Sequence, residues 1–394
     1  MKLFNFLLSF FKLNKGNIYR ELVILSSISQ NLRRPIHKNL FVKYLKKIYL
    51  YLNLFKRIIL IYIIKYFVGG FFIKNNSRPQ KDLIILYPND DKWILRGIAR
   101  DLGKELIKIG LEVKYIPIKD LNKNLDAKNF LFISHLIAQN SIKRFPIILP
   151  RSSVLILHLR TISKSEVEFL SRFKYILCQS NLDQMRLSSL GFLPGRVINL
   201  PVGVDKNIFS ITKSFSEREY DFLISSPYKI DNLGSHYWLR KSTPILVELI
   251  KKLSLKGFKI MILGENWNSY NFCSNNIKSF SPPYEEKSYY INQCKCFINI
   301  SILEGGPVTL LESISCGCFC ITKNCGFGHL LSENFKANCK LIPNYTNSDT
   351  LTNEIIKIYI SNINNHNKNN IDSLKLQEYS YEGLSIKLKK ILFE

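Results

Sequence analysis

EGGPVTLLESISCGCFCIT, which spans Glu304 to Thr322, is the stretch of sequence that decides the fold of this chain. An apolar, β-prone run at 298–302 precedes it, and two glycines after Glu304 end that strand. Pro307 suits the first position of a helix, which the apolar residues at 308, 310, 311 and 314 continue. A second strand is predicted at 318–322. The stretch therefore predicts the strand, helix and strand of a parallel sheet.

The start of this helix offers a site for an anion. Backbone N–H groups at a helix N-terminus lack intrahelical partners and lie at the positive end of the helix dipole. Gly305 and Gly306 have no Cβ, so a ligand can approach this backbone closely. Glu304 precedes the helix and Glu312 lies in its second turn, so we expect them to bind different parts of one ligand. Taken alone, the pattern also fits an ordinary α/β turn.

Strand and helix patterns alternate along the chain from Asp82 onward. Strands are predicted at 83–87, 113–117, 130–134, 154–158, 175–179, 220–225, 259–264 and 297–301, and helices at 94–109, 165–173, 244–253 and 284–293. Extended residues at 196–209 indicate a boundary between two halves. The pattern predicts an α/β fold with two doubly wound, Rossmann-like lobes.

Positive charge is concentrated at one end of the chain. The 394 residues carry a formal net charge of +26, and residues 1–80 hold fifteen Lys and Arg against one acid, Glu21. Basic and apolar residues alternate around 43–52 as in a helix that lies on acidic lipid. The run at 58–73 is short for a membrane span and contains Lys65. We expect an interfacial anchor; a helical cap packed on the protein is the alternative.

The nine cysteines lack the spacing of metal ligands. Those at 294, 296, 316, 318 and 320 alternate along strand-like stretches, whereas zinc sites need pairs two to four residues apart with matching partners. We therefore expect buried free thiols and a reducing, cytoplasmic setting.

With its flanks, the opening stretch resembles the signature of the retaining, family 4 (group 1) glycosyltransferases of the GT-B fold. The matching residues are Glu304, Gly305, Gly306, Pro307, Glu312, Cys316 and Gly317, with Gly306 where an aromatic residue is common. Residues 174–209, KYILCQSNLDQMRLSSLGFLPGRVINLPVGVDKNIF, resemble the interlobe segment of that family, and the ending YSYEGLSIKLKKIL is similar to the helix that returns to the first lobe. The resemblance covers most of 82–394.

The resemblance implies two Rossmann-like lobes that face a central cleft. Residues 81–202 would form the acceptor lobe, completed by a crossover helix at 371–394. Residues 203–370 would form the donor lobe, which binds the nucleotide-sugar. The basic, hydrophobic extension 1–80 lies outside the resemblance.

The implied activity is that of a hexosyltransferase-type enzyme, EC 2.4. It would move a sugar from a UDP- or GDP-linked donor to a glycan or lipid-linked acceptor with retention of configuration. The departing diphosphate gains negative charge as the anomeric bond breaks. In this family an Arg and a Lys stabilise that charge without a metal, so no cofactor and no metal are expected.

Lys241 aligns with the lysine of the family. The family arginine usually follows a glycine at a strand end, where this chain has Ser, Ser, Pro and Tyr at 225–228. Either Lys229 or Arg240 supplies the second charge, or the electrostatic site is weaker than is usual in the family. The first lobe also lacks the usual paired glycines after its first strand; Gly97 could replace them in part.

Other roles also come from the resemblance. Glu304 would bind the sugar hydroxyls and Glu312 the ribose, with an acid on the helix surface as the alternative for Glu312. Gly305 and Gly306 would present N–H groups. His158, at the end of VLILH, would lie near the sugar and the acceptor, with a structural role as the alternative. Three further residues are expected at the nucleobase, with plain packing as the alternative for the second: Gly264, Trp267 and Tyr284.

The expected partners are the donor, the acceptor and an anionic membrane surface contacted through residues 1–75. The protein would thus be cytoplasmic and peripheral on the inner face of the cell membrane, in polysaccharide biosynthesis. One rival is an inactive sugar-nucleotide-binding relative, because the glycine-arginine pair is missing. The other is a basic nucleic-acid-binding protein; the Ile, Leu and Phe of the basic extension disfavour it.

Overall fold

The computed structural model describes residues 81–88, 94–123, 127–134, 151–157, 163–228, 239–270, 272, 274–344, 347–366 and 371–394. The extension 1–80, with its predicted membrane contact, lies outside these residues. So do His158 and Lys229.

The first lobe is a parallel six-stranded sheet with the strand order β2-β1-β3-β4-β5-β6. Its elements are β1 Lys81–Tyr87, α1 Ile94–Lys108, β2 Val113–Pro117, β3 Ala127–Ser134, β4 Ser152–Ile156, α2 Lys164–Leu170, β5 Tyr175–Cys178, α3 Asn181–Ser189 and β6 Val197–Asn199. The central strands are continuous apolar runs because helices or loops cover both faces of the sheet.

The second lobe is also a parallel six-stranded sheet, with the order β12-β11-β10-β7-β8-β9. Its elements are β7 Tyr220–Ser225, α4 Thr243–Leu255, β8 Ile260–Leu263, β9 Ile277–Phe280, α5 Lys287–Ile291, β10 Cys294–Asn299, α6 Val308–Ser315, β11 Phe319–Lys323, α7 Gly328–Asn334, β12 Cys339–Ile342 and α8 Ser348–His366. The direction of strand succession reverses between β7 and β10. In open parallel sheets, ligands bind at such a switch point, outside the carboxyl ends of the strands.

Two helices end the chain: α9 Ser373–Glu378 and α10 Tyr381–Phe393. Leu384 and Leu388 of α10 are buried in the same core as Leu95 of α1, so the last helix packs on the first lobe. Val204 connects the two segments in which the chain passes between the lobes. Its N–H donates to the Tyr379 carbonyl (2.9 Å), and its carbonyl accepts from the Tyr381 N–H (3.2 Å).

The predicted α/β fold with two doubly wound, Rossmann-like lobes is confirmed. Strand β10 ends at Asn299, three residues before the end of the apolar run that was predicted as strand. The Asn299 side chain accepts from the Ser301 N–H (3.2 Å), and the Ile302 N–H donates to the Arg240 carbonyl (2.8 Å), which takes this backbone out of the sheet. The predicted helix at 284–293 is one 3₁₀ turn at 284–286 followed by the short α5.

The eight cysteines in the described ranges are buried free thiols, as predicted. Within the same ranges, no helix is long and apolar enough to cross a membrane.

Candidate functional site

The carboxyl ends of the two sheets meet at a small pocket of about 250 Å³. Leu157 and Gln179, which follow β4 and β5, line it from the first lobe, and residues 304–309, which follow β10, line it from the second. A large pocket of about 690 Å³ lies between α1 and the ends of β8 and β9. Both pockets are lined by Ile98, Ser225 and Val308, so they form one cleft. The cleft includes the switch point of the second sheet.

Three charged side chains cluster in the small pocket. The Lys241 ammonium donates a hydrogen bond to Glu304, and an Arg240 guanidinium nitrogen lies 3.7 Å from the other Glu304 oxygen. All three side chains are largely buried, with 11–16% of their surface exposed. The cluster carries one positive charge in excess, in a setting where solvent screens little.

The backbone around Ser242 fixes the position of these cations. Ser242 has a left-handed conformation with φ of 53°, which is unusual for a residue with a side chain. Its hydroxyl donates to the Ile300 carbonyl (3.0 Å), while the Arg240 carbonyl accepts from the Ile302 N–H. The turn before α4 is therefore tied to the loop after β10. These bonds bring Lys241 to Glu304, 63 residues away in sequence.

Glu304 is held in its ionised form. Burial by itself raises the pKa of its carboxyl, but the charges of Lys241 and Arg240 and hydrogen bonds from Lys241 and Ser301 outweigh burial. The net result is a pKa below the usual glutamic acid value. At neutral pH this carboxylate can accept hydrogen bonds from hydroxyl groups.

Gly306 lies between the two lobes. A Cβ at this position would be 1.7 Å from Oε1 of Gln179 in the first lobe and 2.3 Å from the buried ring of Phe327. A Cβ on Gly326 would lie 2.6 Å from the Gly305 carbonyl oxygen, so the Gly305 backbone packs closely against Gly326. Pro307 directly precedes α6 instead of occupying its first turn. Gly306 thus allows Gln179 of the first lobe to approach the segment before α6 closely.

Glu312, in the second turn of α6, is fully buried. Neither of its oxygens accepts a hydrogen bond of regular geometry from the described residues. Burial raises the pKa of this carboxyl, and the Lys287 charge and Thr309 hydroxyl offset that effect only in part. Burial and the Glu312 charge in turn raise the pKa of Tyr284. Glu312 is thus a buried acid whose charge acts on Tyr284 and is offset by Lys287, two residues that line the large pocket.

Residues 243–373 match the family model of glycosyl transferases group 1. The fold is similar to that of Anabaena HepE, solved with UDP and glucose, at a TM-score of 0.59 and 12% identity over 79% of this chain and 99% of that chain. It is also similar to sucrose-phosphate synthase from Thermosynechococcus elongatus, at a TM-score of 0.57 and 11% identity over 79% and 98% of the two chains. The chain has the GT-B fold. A search of curated proteins finds no match.

A third similar structure is that of the lipopolysaccharide outer core galactosyltransferase WaaB. Its TM-score is 0.57, with 12% identity over 79% of this chain and 99% of that chain.

Within this GT-B chain, two of the three residues predicted at the nucleobase line the large pocket: Gly264 and Tyr284. A Cβ on Gly264 would lie 2.2 Å from the Ser226 carbonyl oxygen, so the backbone at the end of β8 is closely packed. Trp267 is 2% exposed, stacks on Phe272 and donates its indole N–H to Ser226. Trp267 thus packs in the core behind the cleft, and plain packing is the role that its position supports.

The predicted residues that the structure brings together around the small pocket are Lys241, Arg240, Glu304, Gly305, Gly306 and Pro307. Sequence reasoning missed Gln179 and Asn299, which also line this pocket, and Arg96 and Arg100, which line the large one. Gln179 and Asn299 lie at the carboxyl ends of strands, and that position was the available signal. Gly97 lies inside α1 and lines the large pocket.

Proposed function

We propose that this protein is a glycosyltransferase, EC 2.4, that moves a sugar from a UDP- or GDP-linked donor to a glycan or lipid-linked acceptor. One observation carries the proposal: the cluster of Lys241, Arg240 and Glu304 beside the paired glycines, at the switch point of the second sheet. Most of that lobe also matches the group 1 glycosyltransferase model.

The cations have a clear task in such a reaction. When the bond between the anomeric carbon and the phosphate breaks, negative charge grows on the diphosphate. Lys241 and Arg240 lie next to each other in a partly desolvated pocket, where their charges are weakly screened. Arg240 would thus supply the second positive charge, and the start of α6 adds its helix dipole. We propose that the reaction needs no metal, since these groups supply the positive charge that a metal ion would otherwise provide.

The shape of the cleft supports one orientation of the donor. The large pocket would hold the nucleoside, and the small pocket would hold the diphosphate and sugar, with Glu304 accepting from sugar hydroxyls. Glu312 would meet the ribose only after neighbouring side chains move, because its carboxyl is fully buried. HepE was solved with UDP and glucose, which supports UDP-glucose as the first donor to test.

We further propose that configuration is retained. The acceptor hydroxyl would attack the face that the diphosphate leaves, and a phosphate oxygen of the leaving group would take its proton. The new glycosidic bond forms as the old bond breaks. In this scheme the side chains bind and stabilise charge, and no side chain acts as base.

The acceptor is proposed from chemistry outside the cleft. The basic, apolar residues 1–75 suit an anionic membrane surface, and WaaB is named for lipopolysaccharide synthesis. A lipid-linked glycan at the inner face of the membrane fits both. Deletion of residues 1–75 should abolish flotation with anionic liposomes, and unchanged flotation would exclude this anchor.

Binding and hydrolysis of the donor test the function. We expect UDP-glucose or GDP-mannose to raise the melting temperature of the wild type, since ligands that bind only the native state stabilise it by mass action. Donor hydrolysis should persist in EDTA. Lys241→Met should abolish hydrolysis, whereas Lys251→Met, an exposed lysine on α4, should not.

Three results would separate the alternatives. Binding by the wild type without hydrolysis or transfer would indicate the inactive relative. No binding of any nucleotide or nucleotide-sugar would refute the enzyme. A requirement for a divalent metal would refute the metal-independent scheme alone.

A further inference from the structure

We propose that Gln179 of the first lobe hydrogen-bonds a hydroxyl of the transferred sugar and so helps the small pocket to select its donor. This inference rests on the proposed function. The inference adds to the proposed function a residue of the first lobe that positions the sugar.

The backbone holds Gln179 at a fixed place on the edge of the first sheet. Gln179 directly follows β5, whose last carbonyl, that of Cys178, accepts from the Leu200 N–H (2.7 Å). The next residue, Ser180, caps α3, because its hydroxyl oxygen accepts from the Asp183 N–H (3.1 Å). With both neighbours fixed, the side chain at 179 enters the cleft from a rigid turn. A ligand contact made there therefore costs little conformational entropy.

The amide oxygen of Gln179 lacks a hydrogen-bond partner, and a ligand could supply one. The residue is 1% exposed, and its Oε1 has no hydrogen-bond partner within the described part of the chain. This oxygen lies at Gly306, two residues before α6, and the residue lines the small pocket. Buried polar groups are nearly always hydrogen-bonded in folded proteins, so this exception requires a reason. A ligand hydroxyl in the pocket would provide the missing bond.

The other residues around the pocket indicate which ligand group this amide binds. Ile98 and Leu157, the other described first-lobe residues at the pocket, are apolar. Gln179 is therefore the one polar side chain that the described first lobe contributes. Arg240 and Lys241 suit the charged phosphates, whereas a neutral amide, with a donor and an acceptor in one plane, suits a hydroxyl. An amide is not a base, so the role is to position the sugar.

A sugar held in this way would contact Glu304 from one lobe and Gln179 from the other. The nucleoside diphosphate alone would lack the Gln179 contact, because the cations and the large pocket bind it. Loss of the amide should therefore weaken the donor without weakening the nucleotide. A purely structural role of Gln179 would instead change both affinities together.

The test compares Gln179→Met with Gln184→Met. Methionine has a similar length and shape but cannot form these hydrogen bonds. Gln184→Met makes the same chemical change on α3, away from the pocket. The amide of Gln184 donates to the Val197 carbonyl (2.8 Å). Calorimetric titrations would measure UDP, UDP-glucose, GDP and GDP-mannose against each protein. Melting curves would first show that both variants are folded.

We expect Gln179→Met to lose about three- to tenfold in affinity for the nucleotide-sugar that the wild type binds, which is the effect of one uncharged hydrogen bond. Its affinity for the matching nucleoside diphosphate should change less than twofold, and Gln184→Met should match the wild type for both ligands. Equal loss of both ligands, or no loss of either, would overturn the role of Gln179 and leave the proposed function intact. If the wild type binds neither nucleotide-sugar, the proposed function fails, and this inference fails with it.

Discussion

Replacement of Gly306 by alanine tests the packing of the two lobes at the small pocket. The added Cβ would lie 1.7 Å from Gln179 Oε1 and 2.3 Å from Phe327 Cε1, whereas ordinary contacts begin at 3.4 Å. Gln179 could turn away within its own pocket. The Phe327 ring is 1% exposed and packs in the hydrophobic core of the second lobe.

The expected cost follows from these two contacts. Inserting a methyl group into a packed interior typically costs about 1–3 kcal/mol, and two close contacts with buried neighbours place Gly306→Ala near the upper value. For a protein of 394 residues, a loss of about 3 kcal/mol lowers the melting temperature by about 4 °C. Because Gly306 lines the small pocket two residues before α6, we also expect at least about a tenfold loss of donor affinity, since small displacements of a binding group are costly.

Thermal unfolding and calorimetric titration with UDP-glucose and GDP-mannose would measure both effects. Gly195→Ala is the matched control, because a Cβ there meets no atom within 4 Å. The double variant Gly306→Ala with Gln179→Ala removes the closer of the two contacts, so it should recover part of the stability lost by the single change. Full wild-type stability and affinity in Gly306→Ala would refute the close approach of the lobes on which this reasoning depends.

Three further predictions concern charges in the described lobes. Lys241→Met should destabilise the protein at pH 7 by about 3 kcal/mol, because the buried Glu304 carboxylate loses its hydrogen-bonded partner and keeps only the more distant Arg240; adding Glu304→Gln should restore most of that loss in denaturant unfolding. Asp183→Asn should stabilise the protein above pH 6 by up to about 2 kcal/mol. Burial raises the pKa of Asp183 to about 6, so ionisation of this carboxyl lowers the stability of the wild type as the pH rises from about 4 to about 6. Melting temperatures measured across that range should therefore depend less on pH in the variant. If the two pH profiles are parallel, Asp183 is not the responsible group. Arg218→Met should lower the free energy of unfolding by about 3 kcal/mol or more, because the buried guanidinium donates to the Cys294 carbonyl (2.8 Å) and the Cys316 carbonyl. Urea unfolding should show a lower midpoint with an unchanged m-value. A near-neutral change would contradict this account.

The opening stretch shows how far sequence patterns extend. Strand, glycine turn and helix follow one another at 294–315 in the predicted order, because glycines, a proline and apolar spacing act locally. The strand boundary was wrong by three residues because hydrogen bonds from a distant segment, at Arg240, take the backbone after Asn299 out of the sheet. Trp267 gave no local signal that distinguished cleft from core. Its burial depends on Phe272 and Tyr228, which only the folded lobe brings to it.

The sequence by itself determined the alternation of strands and helices, the two Rossmann-like lobes and the identity of the charged residues near the glycine turn. The alternation and the two lobes follow from hydrophobic period and turn chemistry, which act within a few residues, whereas the charged residues were identified through the family resemblance. Only the tertiary structure decided that Lys241 and Arg240 meet Glu304, that Gln179 of the other lobe lies against Gly306, and that both Glu312 oxygens are buried. Such relations join residues that are distant in sequence. They depend on how strand order brings the carboxyl ends of two sheets together, which no local pattern specifies.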